Sequence, residues 1–125
     1  MSGVTLDAGA LIALDRNNRQ VIALLERARE RSDTVTVPAS ALAQAIRKPE
    51  RQARLSRFIR QSTTDVVPLD RVDAVRVGRL LATTGTADVV DAHVIECARR
   101  TKTAVVTSDP KDLRQLDPNV QLAVT

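Results

Sequence analysis

The sequence predicts an α/β domain built on a parallel sheet of about five strands, and three observations carry that expectation. Short β-branched runs alternate with longer stretches of helical period, which is what a parallel sheet requires because its strands must be joined by crossovers. At 125 residues the chain fits one domain, residues 1–125, with enough core to fold without disulfide or metal staples. Its composition, 43% hydrophobic and 27% charged with four glycines and five prolines, is that of a globular protein rather than a disordered or fibrous one.

The expected strands are Val4–Leu6, Val35–Val37, Asp65–Val67, Ala104–Thr107 and Val120–Val124. A helix follows Asp7 at once in "AGALIALD", and a second covers Arg19–Arg31 with Val21, Leu24, Leu25 and Ala28 on one face. After the second strand "PASALAQAIR" starts another. Pro49 then interrupts the chain, and "ERQARLSRFIRQ" resumes a helix with Leu55, Phe58 and Ile59 as its apolar stripe. Asp70–Leu81 and Val89–Arg100 supply two more, and a short helix follows Pro110. No internal repeat or linker divides the chain.

Composition narrows the function. Phe58 is the one aromatic residue, so base-stacking platforms are missing and any nucleic-acid contact must be mainly electrostatic. The net charge of +4 favours a polyanionic partner. The single cysteine, Cys97, cannot form an intramolecular disulfide and sits in the apolar pattern "AHVIECA", which suggests a buried, inert thiol and a reducing cytoplasm. The start "MSGVTLDAG" lacks the features of a signal peptide and no apolar run approaches a membrane span, so a cytoplasmic protein with no membrane partner is expected. Zinc spacing, a P-loop and a serine nucleophile elbow are all absent from the sequence.

In an open parallel sheet ligands bind where the carboxyl ends of the strands feed the helices. Asp7 and Asp109 each follow an apolar strand directly, in "GVTLD" and "AVVTSD", and fall on that edge. Asp88 and Asp91 open the helix that leads into the fourth strand, and would join them if that helix starts at the same edge. Each acid also has a structural explanation. Asp is a favoured helix cap, and Asp109, Pro110 and Asp112 read as N-cap, first-turn proline and N3 acid. Together, however, three acidic helix starts would crowd like charges into a small crevice, raising their pKa values unless a cation neutralises them. Oxygen-only ligands suit Mg²⁺ or Mn²⁺ rather than zinc. His93 lies about 200° around the helix from Asp91, so the two cannot both face the crevice, and His93 is expected to be structural.

These segments resemble PIN-domain ribonucleases, and in particular the VapC-like toxins of bacterial type II toxin–antitoxin pairs. The resemblance rests on "VTLDAGALIAL" with Asp7, "VPASALAQAIR", "VVDAHVIECA" with Asp91 and "VVTSDPKDL" with Asp109, in that order over nearly the whole chain. It implies a three-layer α/β/α PIN-like domain in which the acids hold Mg²⁺ or Mn²⁺ and a metal-activated water cleaves RNA. It also implies a cognate antitoxin that blocks the site, in a homodimer or a toxin–antitoxin hetero-oligomer. By this resemblance Asp7, Asp91 and Asp109 are the catalytic and metal-binding residues. One departure matters: where the family usually carries a glutamate on the helix after the second strand, this chain has Gln44. An amide oxygen can orient water or coordinate a cation but adds no charge, so metal affinity should fall, with Asp88 as the acid that could compensate.

Gln44, Thr107, Ser108 and Asp112 are the expected supporting residues around the metal ligands. "RKPERQARLSRFIR" concentrates Arg47, Lys48, Arg51 and Arg54 against a single acid, Glu50, and is the expected RNA-binding surface; its alternatives are a solvated helix face or a protein contact. Leu11, Leu14, Leu24 and Leu25 are mostly core, with any surplus available for a homodimer or antitoxin groove. Two other functions remain open. A weakened or inactive PIN-like module would bind RNA or protein without cutting. A receiver-type signalling domain shares length and acidic crevice, but Ala8 follows Asp7 where receivers carry adjacent acids, and "LAVT" offers no lysine.

Overall fold

The computed structural model describes residues 3–125. Strands β1 (Val4–Leu6), β2 (Val35–Pro38), β3 (Thr64–Val67), β4 (Ala104–Thr107) and β5 (Leu122–Val124) form one sheet in the order β3-β2-β1-β4-β5, every neighbouring pair parallel. Helices α1 (Ala8–Asp15), α2 (Arg19–Glu30), α3 (Ala39–Ala45), α4 (Ala53–Phe58), α5 (Arg71–Thr84), α6 (Val89–Thr101) and α7 (Pro110–Leu116) cover it, completing a three-layer α/β/α domain. No helix among the described residues is long and apolar enough to cross a membrane.

The sheet is buried because helices cover both faces, and its central strands read accordingly as continuous β-branched runs. Leu6, Val37, Val105 and Val106 are fully buried, and Leu11 of α1 and Ile95 of α6 pack onto them. Each such side chain contributes about 1.5–3 kcal/mol through removal from water. Gly3 shows how tightly the first strand is threaded: its φ is +102°, and a Cβ there would stand 2.3 Å from the Thr34 carbonyl oxygen, so a side chain is excluded on both grounds.

The topology fixes where a ligand can sit. From β1 the chain adds β2 and β3 on one side, then returns to lay β4 and β5 on the other, so the order reverses between β1 and β4. There Leu6 pairs with Val106, which sets the next residues, Asp7 and Thr107, side by side at the carboxyl ends of the two strands.

Two boundaries depart from expectation for local reasons. The last strand begins at Leu122 rather than Val120, because the Val120 N–H donates to the Asp117 carbonyl at 3.1 Å and closes a turn first. The helix expected across residues 50–61 is instead a 3₁₀ turn, Pro49–Arg51, followed by α4. Gln52 divides the two. Its Oε1 accepts from the backbone N–H groups of Arg47 at 2.8 Å and Lys48 at 3.0 Å, while its Nε2 donates to the Ala45 carbonyl at 2.9 Å. One buried amide thus satisfies the last carbonyl of α3 and two N–H groups of the loop that follows it.

Candidate functional site

Two connections and one helix start frame the crevice at the carboxyl edge of the sheet. Asp7 follows β1 and caps α1, its Oδ1 accepting from the Ala10 N–H at 2.8 Å, and it is 7% exposed. A Cβ at Gly9 would lie 3.6 Å from Asp7 Oδ1 and 3.5 Å from Ser108 Oγ, so the turns after β1 and β4 face each other across a narrow gap. Asp88 caps α6 by accepting from the Asp91 N–H at 2.9 Å, leaving the Asp91 carboxylate in the helix's first turn.

Asp109 does not behave as the cap its sequence suggests. Its side chain makes no capping bond to α7, and its own N–H donates to Thr107 Oγ1 at 2.9 Å. The buried Thr107 hydroxyl therefore fixes this turn, and the exposed Asp109 carboxylate is released from structural duty.

The acids are close enough to oppose one another's ionisation. Burial, then the charges of Asp88, Asp7, Asp112 and Asp109, push the Asp91 carboxyl up to about 6 from the ordinary 3.8. Burial also raises Asp7, against hydrogen bonds from the Thr107 hydroxyl and the Ala10 N–H, and Asp109 raises it further. Carboxylates from three distant segments thus share one field. Among the described residues none of the five forms an ion pair with lysine or arginine. A dense, oxygen-only donor set lacking a protein cation fits a hard divalent ion.

The PIN domain family matches residues 4–117. The chain belongs to the PIN-domain family. Solved structures with the same fold include VapBC2 from Rickettsia felis bound to a DNA fragment from its promoter, at 18% identity and a TM-score of 0.68, covering 98% of each chain. FitAcB from Neisseria gonorrhoeae is similar at 18% identity and a TM-score of 0.64, covering 95% of each chain. FitAB bound to the IR36 DNA fragment is similar at 15% identity and a TM-score of 0.65, covering 97% of this chain and 94% of that one. No curated protein matches the sequence. Membership in the PIN family removes the ground for a receiver-type domain.

The remaining residues of interest divide by exposure. Gln44 is on α3 and exposed, as are Ser108 and Asp112 beside the crevice. Arg47, Lys48, Arg51 and Arg54 are all exposed, and none of them enters an ion pair among the described residues. Arg54 lies with Arg29 and Arg57 beside a groove of about 220 Å³ floored by Ile22, Leu25 and Phe58; none of the five acids lines it. Leu11 is wholly core, Leu14 and Leu25 are buried but reach the groove, and Leu24 is partly buried.

A second polar cluster lies under the PIN domain's surface, between α5 and α6, and sequence reasoning reached only part of it. His93 is 0% exposed, with Nδ1 2.7 Å from Ser40 Oγ on α3. Its Nε2 lies 3.5 Å from Oδ2 of Asp73, a residue 1% exposed, and Arg100 donates to the other Asp73 oxygen. Burial lowers the His93 pKa against the Pro68 carbonyl and Asp70, so the ring is neutral and its contact with Asp73 is not an ion pair. Burial, then Glu96 and Asp65, push the Cys97 thiol up to about 12. Asp73 was legible in principle: it opens the buried stripe Asp73, Val77, Leu80 of α5, and an acid in such a stripe requires a partner.

Proposed function

We propose that this PIN domain is the toxin of a toxin–antitoxin pair, an endoribonuclease that uses Mg²⁺ or Mn²⁺ held by Asp7, Asp91 and Asp109. The observation that carries the proposal is the convergence of carboxylates from the ends of β1 and β4 and the start of α6, paired with no lysine or arginine among the described residues. Asp7, Asp91 and Asp109 would hold such an ion, which would supply a water of lowered pKa and positive charge opposite the scissile phosphate.

The chain's own residues set the conditions for that chemistry. Asp7 is aimed by its bond to the Ala10 N–H, and Thr107 steadies both Asp7 and the turn that presents Asp109. Asp88 holds the first turn of α6 and adds negative charge beside Asp91, in part making up for Gln44. Ser108 and Asp112 flank the opening. Arg47, Lys48, Arg51 and Arg54 attract the phosphate backbone, with Gln52 pinning the loop that carries the first two. The groove between α1, α2 and α4 suits an antitoxin segment: its apolar floor would take an amphipathic helix and its arginines an acidic flank.

The test is cleavage of structured RNA in Mg²⁺ or Mn²⁺ by wild type, Asp7→Ala and Asp91→Ala. The proposal expects each variant to lose more than about 100-fold, since even outer partners of a metal commonly cost 10–100-fold. Equal activity in all three would eliminate it. The exposed, uncharged Gln44 favours a second reading, a PIN module that binds RNA without cutting. RNA binding without Mg²⁺-dependent cleavage by wild type would select that reading.

A further inference from the structure

We propose that Asp73, His93 and Cys97 form a second divalent-cation site, buried between α5 and α6 and suited by its mixed oxygen, nitrogen and sulfur donors to Zn²⁺ rather than Mg²⁺. One ligand atom from each residue lies within 4.8 Å of the others, and all three residues are buried. His93 and Cys97 are one helical turn apart on α6, so both point at the α5 face from which Asp73 projects.

Three features distinguish the cluster from an ordinary buried hydrogen-bond network. His93 Nε2 and Asp73 Oδ2 are both buried with no partner at good hydrogen-bond geometry, even though the Pro68 carbonyl lies near the His93 ring, a costly state for groups so deep. Their separation of 3.5 Å is too long for a good hydrogen bond but matches the edge of a tetrahedron with bonds of about 2.1 Å, roughly 3.4 Å. The outer contacts also suit a metal ligand: the Ser40 hydroxyl, 2.7 Å from Nδ1, can accept its proton in the tautomer that leaves the Nε2 lone pair free, and Arg100 occupies only the far oxygen of Asp73. Sγ, at most 4.8 Å from the other two ligand atoms, must still close to the edge of roughly 3.6 Å that bonds of about 2.1 and 2.3 Å set in a tetrahedron, a side-chain adjustment within one turn of α6.

Charge and protons balance. Binding displaces one proton from the Cys97 thiol to buffer, a sulfur–metal bond forms, and a ring that enters in its neutral form loses none. Thiolate and carboxylate together match the two charges of the ion, and Arg100, whose side chain is 42% exposed, keeps its contact with Asp73 and carries the one remaining positive charge toward solvent. The oxygen-only crevice at the start of α6 is chemically different, and Mg²⁺, which favours oxygen ligands in octahedral array, is a poor occupant of the buried site.

The experiment titrates metal-stripped whole protein with Co²⁺ and then Zn²⁺, in millimolar Mg²⁺ to load the acidic crevice. The expected result is thiolate-to-cobalt charge-transfer absorption that saturates at one equivalent and is abolished by Zn²⁺. It should be absent from Cys97→Ser, weakened about tenfold or more in Asp73→Asn, and unchanged in Asp7→Asn. Zn²⁺ should raise the melting temperature of wild type but not of Cys97→Ser. Cys97 is the chain's one cysteine, so the wild-type absorption decides the matter even if a variant does not fold. Absence of that absorption, or equal Zn²⁺ stabilisation of wild type and Cys97→Ser, would overturn the proposal. The nuclease reading fails separately, through Asp7 and Asp91.

Discussion

Helix α6 carries two acid-containing sites that solve the same electrostatic problem in opposite ways. At its first turn, Asp91 meets Asp7, Asp88, Asp109 and Asp112 with no arginine or lysine paired to any of them among the described residues. Two turns further along, the buried Asp73 is met by Arg100 from the same helix, beside a neutral His93. A domain able to supply a guanidinium to one acid leaves five others uncompensated a short distance away. On the proposed reading, repulsion in the crevice is what an external cation would relieve, whereas the interior acid already has one internal partner in Arg100.

Substitutions should therefore move activity and stability in opposite directions at the two sites. The largest effect is expected from Asp91→Asn, which should lower RNA cleavage by more than about 100-fold yet raise the metal-free melting temperature, since it removes a charge the fold opposes. A fall in both would break the comparison. Next, Arg100→Ala should destabilise the protein by about 2–3 kcal/mol in urea unfolding. That is below the ~3–5 kcal/mol of a fully buried pair, because the Arg100 side chain is 42% exposed. Double Arg100→Ala, Asp73→Asn should recover part of that loss.

The pH dependence sharpens the contrast. Asp91 is raised in the folded state, so between 3.8 and about 6 the folded protein binds more protons than the unfolded one. Its contribution to stability is therefore highest at the acid end of that window and declines as pH rises through it, provided no metal is bound. Thermal melts in chelator should show that decline, and Mg²⁺ should reverse it above about pH 6, where Asp91 is ionised. Smaller again, Gln44→Glu should tighten Mg²⁺ several-fold by adding the missing charge, measured as the Mg²⁺ concentration giving half-maximal cleavage. Smallest, Arg51→Glu with Arg54→Glu should reduce the salt slope of RNA binding by about one to two units and leave the melting temperature in place.

Much of this was readable in the sequence because it depends on neighbours in the chain. β1, β2 and β4 follow from β-branched runs, and the positions of Asp7 and Asp109 follow from the strand ends they terminate. What escaped depends on distant or competing partners. Asp109 looked like a helix cap, but a hydroxyl two residues earlier took its N–H and freed its carboxylate. The helix through "ERQARLSRFIRQ" breaks because Gln52 turns back to bind Ala45, Arg47 and Lys48, which no periodicity reports. Helix geometry already separates His93 from Asp91, but the link of His93 to Asp73 requires the packing of α5 on α6, twenty residues apart in sequence and visible only in three dimensions.

The most direct measurement is calorimetric titration of Mg²⁺ into wild type, Asp7→Asn, Asp91→Asn, Asp109→Asn and Asp73→Asn. Binding in the millimolar range or tighter is expected for wild type and Asp73→Asn, and at least about tenfold weaker binding for the three crevice variants. Equal Mg²⁺ affinity across all five proteins, or none in wild type, would contradict a cation-binding crevice built from Asp7, Asp91 and Asp109.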